Sequence, residues 1–372
     1  MHYSVLGSTG LEVSRFGLGC MRFPESEADS IEMVRYALDH GVNYIDTAYS
    51  YEGSELIVGK ALAGGYREKA VLATKCPVWK AERPGDLEAF LDEELIRLKT
   101  DYIDVYLLHD MNVLHWEKAL RWEAPEFLDR MIDKGKIRHK ACSFHGPYDH
   151  FQKVLNGHDW EMIQIQLNIL DENNQAGLQG LKDGAAKGIP AVIMEPLRGG
   201  ALTRFVPPPV RKLMKWSPRS WSLVEWAFRY LADKPEVKVV LSGTNELSQL
   251  KENIRIFSEA VPGHFTDEDR AFIIELQEAY REAFAVPCTE CGYCLPCPEG
   301  VAIPEIFAHY NRKKLTKHWI DGLLYQRNNI QSSTDASRCV ECGRCEERCP
   351  QNIDIMAKLK EAHKKLGGGR LD

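Results

Sequence analysis

Through the first two-thirds of the chain, short apolar runs alternate with longer stretches of helical period. The runs are FGLGCM (16–21), VNYID (42–46), AVLATK (70–75), YIDVYLLH (102–109), HKACSF (139–144), MIQIQLN (162–168), IPAVIM (189–194) and VKVVLSG (237–243). They are apolar at successive positions, as strands are when helices cover both faces of a parallel sheet. Between them, segments such as SIEMVRYALDHG and AGLQGLKDGAAKG carry apolar residues at helical spacing and close on Gly, the residue favoured just past a helix. Eight such units fill the ~250 residues typical of a (β/α)8 TIM barrel, with a doubly wound open sheet as the alternative. Ahead of the first strand, YSVLGSTGLEVSRFG predicts a hairpin capping the barrel floor.

Two segments break the alternation. The connection from Leu197 to Ser222, with its Pro207-Pro208-Pro209 run, predicts a long irregular loop on the side where barrels shape their substrates. TDEDRAFIIELQEAYREAF (266–284) predicts an amphipathic helix with a Thr cap and an acidic first turn. The expected division is a barrel over 1–262, a bridging helix over 263–287 and a second domain over 288–372.

Composition narrows the class without naming it. Hydrophobic residues make up 44% and charged residues 27%, which is ordinary for a globular chain of this length. No run approaches the ~18 apolar residues of a membrane span. The formal net charge of −7 argues against nucleic acid as a partner. A cytoplasmic protein is expected.

Cysteine placement changes the picture more. Of 11 cysteines, only Cys20, Cys76 and Cys142 precede residue 288. The rest form two groups, CTECGYCLPCP and CVECGRCEERCP. The second has the C-x2-C-x2-C-x3-C-P spacing in which three thiolates wrap one 4Fe–4S cubane and the fourth serves a neighbour. The first has two residues, not three, before its last cysteine. Exchange of fourth ligands assigns Cys288, Cys291, Cys294 and Cys349 to one cluster and Cys339, Cys342, Cys345 and Cys297 to the other. A pair of structural zinc sites is the competing reading, since those also use C-x2-C pairs. With helix-like segments between the groups and after them, this part is similar to α-helical ferredoxin modules.

Within the barrel, Asp46 and Tyr51 fall at and beyond the second strand, Lys75 ends the third and His109 the fourth. Residues so placed converge on the catalytic face of a barrel. The segments LGSTGLEVSRFGLG, DTAYSYEGSE, ATK, LLH and GTNELSQLKEN resemble the aldo-keto reductase family over about residues 3–258. The resemblance implies an NADP- or NAD-dependent oxidoreductase acting on a small carbonyl or alcohol. It makes Tyr51 the acid/base, Lys75 its tuner, Asp46 the partner of Lys75 and His109 the group that orients the carbonyl oxygen. Chemically the set is coherent: a phenol near pKa 10 needs a cation beside it to be brought down.

The same resemblance places the nicotinamide on Ser143 and Gln164, with Phe144 where the family has Asn and His145 as a substitute contact. Met194 replaces the usual aromatic ring-stacking residue, ahead of Pro196 and Leu197. The adenosine end falls on Gly243, Thr244, Gln249, Glu252 and Asn253. Gly243 and Gln249 stand where the family carries its usual cations for the 2′-phosphate, which leaves NADP against NAD open.

Hydride chemistry moves two electrons and a cluster moves one. The clusters are therefore expected to serve structure, redox sensing, or electron transfer with a partner protein. An electron carrier or redox sensor with the barrel as a docking platform is the alternative.

Overall fold

The computed structural model describes residues 1–204, 206–281, 283–316 and 319–367. A two-stranded antiparallel hairpin, β1 (Tyr3–Val5) and β2 (Glu12–Ser14), opens the chain. Eight parallel strands then close into a barrel. They are β3 (Phe16–Gly19), β4 (Tyr44–Asp46), β5 (Val71–Cys76), β6 (Ile103–Leu108), β7 (Ile137–Ser143), β8 (Met162–Gln166), β9 (Ala191–Met194) and β10 (Val237–Ser242). Each lies within one of the eight apolar runs or overlaps it closely.

Closure is made where β10 pairs with β3, Val240 opposite Phe16. Gly17 permits it: a Cβ there would stand 2.7 Å from Leu241 and 2.8 Å from Val239. Inside, Tyr44, Val105, Leu107, Met162 and Val239 pack into one cluster that also takes Leu6 and Val13 from the hairpin. The hairpin therefore seals the barrel at the end away from the strand C-termini, which leaves the other end for chemistry.

Behind β5 lies a buried acidic pair. Glu55, on the helix Ser54–Ala61, and Glu94, on Asp86–Leu98, are both almost fully buried. Thr74 donates to Glu55 (2.7 Å), Arg97 bonds the other Glu55 oxygen (3.2 Å), and the Tyr106 hydroxyl donates to Glu94. Burial, followed by the neighbouring Glu55 charge, pushes the Glu94 carboxyl well above the usual range. Above an unfolded value of about 4.3 the native state holds a proton that the unfolded chain has lost. Stability from this group therefore falls as pH rises towards the folded value. Glu94→Gln should flatten that decline, so that urea midpoints measured from pH 5 to 9 show the variant gaining on the parent as pH rises. An unchanged difference across that range would remove Glu94 from the explanation.

The chain divides into two compact units, one of Met1–Pro196 with Glu225–His264, the other of Leu197–Val224 with Phe265–Asp372. This redraws the expected division. The helix expected to bridge, Asp267–Arg281, belongs to the second unit, as does the connection that leaves β9. That connection is also more ordered than an irregular loop. It holds helical turns at Ala201–Arg204 and Pro208–Leu213. Pro207 caps the latter and a proline sits in its first turn, where a missing N–H does no harm.

Within the second unit, Arg219 grips Asp269 through two 2.8 Å bonds that hold its carboxylate down at about 2. Thr266 and Asp269 bond each other's backbone N–H, a reciprocal cap for the helix. The remainder is mostly helical, as expected, with the cysteine runs largely on irregular backbone. Ile303–Thr316, Ile320–Tyr325 and Ile355–Leu366 pack around Ile306, Phe307, Tyr325, Leu359 and Ala362. No helix among the described residues is long and apolar enough to cross a membrane.

Candidate functional site

Asp46 ends β4, Lys75 lies near the end of β5, and His109 follows β6. Tyr51 sits in the turn ahead of the helix Ser54–Ala61. The Lys75 Nζ donates to Asp46 Oδ1 and to the Thr47 carbonyl, both at 2.7 Å, and stands 4.9 Å from the centre of the Tyr51 ring. The Tyr51 ring meets His109 edge-on at 5.9 Å. All four sequence-chosen residues are thus brought together, and Asp46, Lys75 and His109 are almost fully buried.

Electrostatics in this cluster differ in one respect from the sequence expectation. Burial alone would lower the Lys75 ammonium, but Asp46 and Tyr51 hold it above its ordinary value, while burial lifts the Asp46 carboxyl against the pull of Lys75. For Tyr51, burial is the largest effect and outweighs the pull of Lys75, so the phenol stays above its usual value. Lys75 restrains the rise rather than producing a net fall. His109 is pushed well below the usual histidine range by burial and then by the Lys75 charge, so its imidazole is neutral.

Sequence reasoning missed the surroundings of His109. Trp79 meets it edge-on at 5.1 Å, and His115 stacks on Trp79 at 5.0 Å. Ser50 Oγ approaches His109 Nδ1 at 3.4 Å. The available signal was a Trp four residues past Lys75, just beyond the catalytic end of a barrel strand.

Ser143 and Gln164 are direct partners in the β7–β8 register. Ser143 Oγ accepts from the Asp110 N–H at 2.8 Å. Gln164 Nε2 points to the Met194 sulfur at 3.9 Å, while its Oε1 is buried with no partner. Phe144 is fully buried, and His145 bonds Gln175 Oε1 at 3.0 Å through Nδ1. The boundary between the two units falls between Pro196 and Leu197.

At the far end of β10, Gly243 and Thr244 precede the helix Leu247–Glu259. Thr244 Oγ1 is a second buried oxygen without a partner. Asn253 donates to Ser242 Oγ at 3.3 Å, and Gln249 Oε1 accepts from Asn245 N at 3.4 Å. Glu252 lies one turn along the same helix.

The cysteines surround two cavities. Cys288, Cys291, Cys294 and Cys349 line one, and Cys297, Cys339, Cys342 and Cys345 the other, where Cys294 also reaches the wall. The two CxECG turns share a backbone form. Glu290 and Gly292 have φ of 59° and 82°, Glu341 and Gly343 of 53° and 75°. Such left-handed pairs curl successive N–H groups towards one centre, and Glu290 N donates to Cys288 Sγ at 3.4 Å. Burial pushes the Cys288 and Cys294 thiols up to about 12. Bare, they would be neutral, and they become ligands only against a metal charge. Each cavity gathers four thiols, the donor chemistry that an iron–sulfur cluster requires.

Barrel and cysteine unit together define an oxidoreductase that carries an iron–sulfur module. The chain belongs to the aldo/keto reductase family, whose model matches residues 15–268, and residues 287–354 match a 4Fe-4S dicluster domain. Among similar proteins, an L-galactose dehydrogenase of Arabidopsis thaliana is 29% identical over 289 residues, covering 68% of this chain and 87% of the relative. An NADH-specific methylglyoxal reductase of Escherichia coli is 29% identical over 329 residues, covering 74% and 98%. A holo aldo-keto reductase structure from Bacillus halodurans superposes with TM-score 0.65 at 28% identity, over 75% of this chain and 97% of that one.

Proposed function

We propose that the barrel reduces a small carbonyl compound with NADH or NADPH at Tyr51, Lys75, Asp46 and His109. The observation that carries this reading is the buried Lys75–Asp46 ion pair set against the ring of Tyr51. Reduction adds a hydride to carbon and a proton to oxygen, and the bound nicotinamide supplies the hydride.

Tyr51 holds the proton. Its raised pKa keeps that proton in place at neutral pH, and the adjacent ammonium steadies the phenolate left after transfer. Asp46 keeps Lys75 charged and aimed. His109, neutral, presents an N–H to the carbonyl oxygen, and the Trp79 and His115 rings fix its orientation.

Gln164 Oε1 and Thr244 Oγ1 support the cofactor assignment as buried acceptors awaiting a donor. Gln164 with Ser143 suits a carboxamide, and Met194 can rest on the ring as a soft, polarizable surface, with Pro196 two residues beyond it. Gly243 and Thr244, ahead of a helix, suit phosphate, with Glu252 and Asn253 towards the adenosine. Gln249 in place of a cation removes the charge-assisted contact that would favour a 2′-phosphate. Kd values for NADH and NADPH should therefore lie within about tenfold of each other, a spread of about 1.4 kcal/mol.

The test is an anaerobic titration that follows nicotinamide and cluster absorbance together. Saturable binding and oxidation of the cofactor by a carbonyl acceptor support the reading. A protein that takes electrons from a one-electron donor but never binds nicotinamide would instead be a carrier.

A further inference from the structure

The two cysteine cavities differ in what surrounds them. Around Cys288, Cys291, Cys294 and Cys349 the remaining wall is neutral, formed by buried Ile303, Phe307, Ile353 and Ile355 with Thr289 and Gln351. Around Cys297, Cys339, Cys342 and Cys345 the wall shares Ile303 and adds Val301 and Leu359, but it also carries two arginines, Arg344 and Arg348, with the acids Glu299 in the wall and Glu346 acting on Cys345. Exposure differs in the same sense. Cys342 is an exposed cysteine, and its neighbour Val340 is 61% exposed.

Uptake of one electron makes an iron–sulfur site one unit more negative. Burial in an apolar shell disfavours that charge, while water and nearby guanidinium groups favour it. The Glu290 N–H bond to Cys288 works the other way, but it is a neutral dipole set against full charges and solvent.

Resting on the assignment of four cysteines to each cluster, we infer that the two clusters are unequal. The site of Cys297, Cys339, Cys342 and Cys345 has the higher potential, takes the first electron, and exchanges with an external one-electron donor. The donor loses one electron and the site gains it. The neutral, apolar site is the one filled second.

The experiment is a redox titration of the anaerobically purified holoprotein, followed by electron paramagnetic resonance, with reduced methyl viologen as the donor in a parallel rate measurement. Two one-electron waves are expected. Arg344→Glu and Arg348→Glu, both at exposed positions, should each lower the equilibrium constant of the higher wave at least about tenfold, which is about 59 mV for one electron. Neither should move the lower wave. Val340→Glu reaches the same site by a different substitution; it should shift the same wave and slow reduction by the donor. Movement of the lower wave, or a single wave that no variant splits, overturns the inference while the clusters stand. Absence of about eight iron and eight sulfide per chain overturns the inference and the cluster assignment together.

Discussion

Tyr51→Phe should lower kcat for carbonyl reduction by about 10²- to 10⁴-fold, the range for losing a positioned proton donor, while nicotinamide affinity stays close to that of the parent. Only the hydroxyl is removed, and the ring keeps its edge-on contact with His109. The same chemistry sets the pH profile. Burial, restrained by Lys75, keeps the Tyr51 phenol above its ordinary value. Reduction should therefore hold its rate through about pH 9 and fall only where the phenol ionises, since an unperturbed phenol already titrates near 10. Alcohol oxidation, which needs the phenolate, should rise over that same range. Lys75 variants give a less direct answer, because removing the ammonium strands the buried Asp46 carboxylate, and breaking such a pair destabilises by about 3–5 kcal/mol. Full carbonyl reduction by Tyr51→Phe would sink the catalytic assignment.

What the sequence made legible follows from where the free energy lies. Each barrel strand is buried on both faces, so its residues must be apolar in succession, and that pattern survives without knowledge of neighbours. Asp46, Lys75 and His109 stood out because they end such runs, where a polar group has little reason to be unless it works with others. The cysteine spacing was equally local. The state of Tyr51 was not legible, because burial and Lys75 act on it in opposite directions and the balance depends on three-dimensional packing. Trp79 and His115 were missed for a related reason: their stacking is a tertiary fact with no periodic signature. Nor could the sequence show that Leu197–Val224 belongs with the C-terminal unit. In that unit, Arg198 Nη2 donates to the Pro287 carbonyl at 2.7 Å, and the Tyr280 hydroxyl donates to the Leu202 carbonyl at 2.6 Å. Both bonds join residues nearly eighty or more positions apart.

Cys349→Ala should remove one cluster and leave the other, reducing iron from about eight to about four per chain. Cys349 stands far along the chain from Cys288, Cys291 and Cys294, yet it lines their cavity. Its loss should therefore abolish the same resonance signal as Cys288→Ala and spare the one lost in Cys342→Ala. Sequential pairing of each cysteine run with its own cluster gives the opposite grouping, so identical signals lost in Cys349→Ala and Cys342→Ala would refute the exchanged arrangement. The structural effect should be large as well. Phe307, Ile303, Ile353 and Ile355 form both the wall of that cavity and part of the core of the helical unit. Without the cluster, those side chains border a space lined with thiols rather than a filled one, and metal binding of this kind is coupled to folding. Far-ultraviolet dichroism should show lost helix and an earlier thermal transition. The barrel, with its own closed core around Tyr44, Leu107 and Val239, should keep its transition, and a variant that loses both transitions together would show the two units to fold as one.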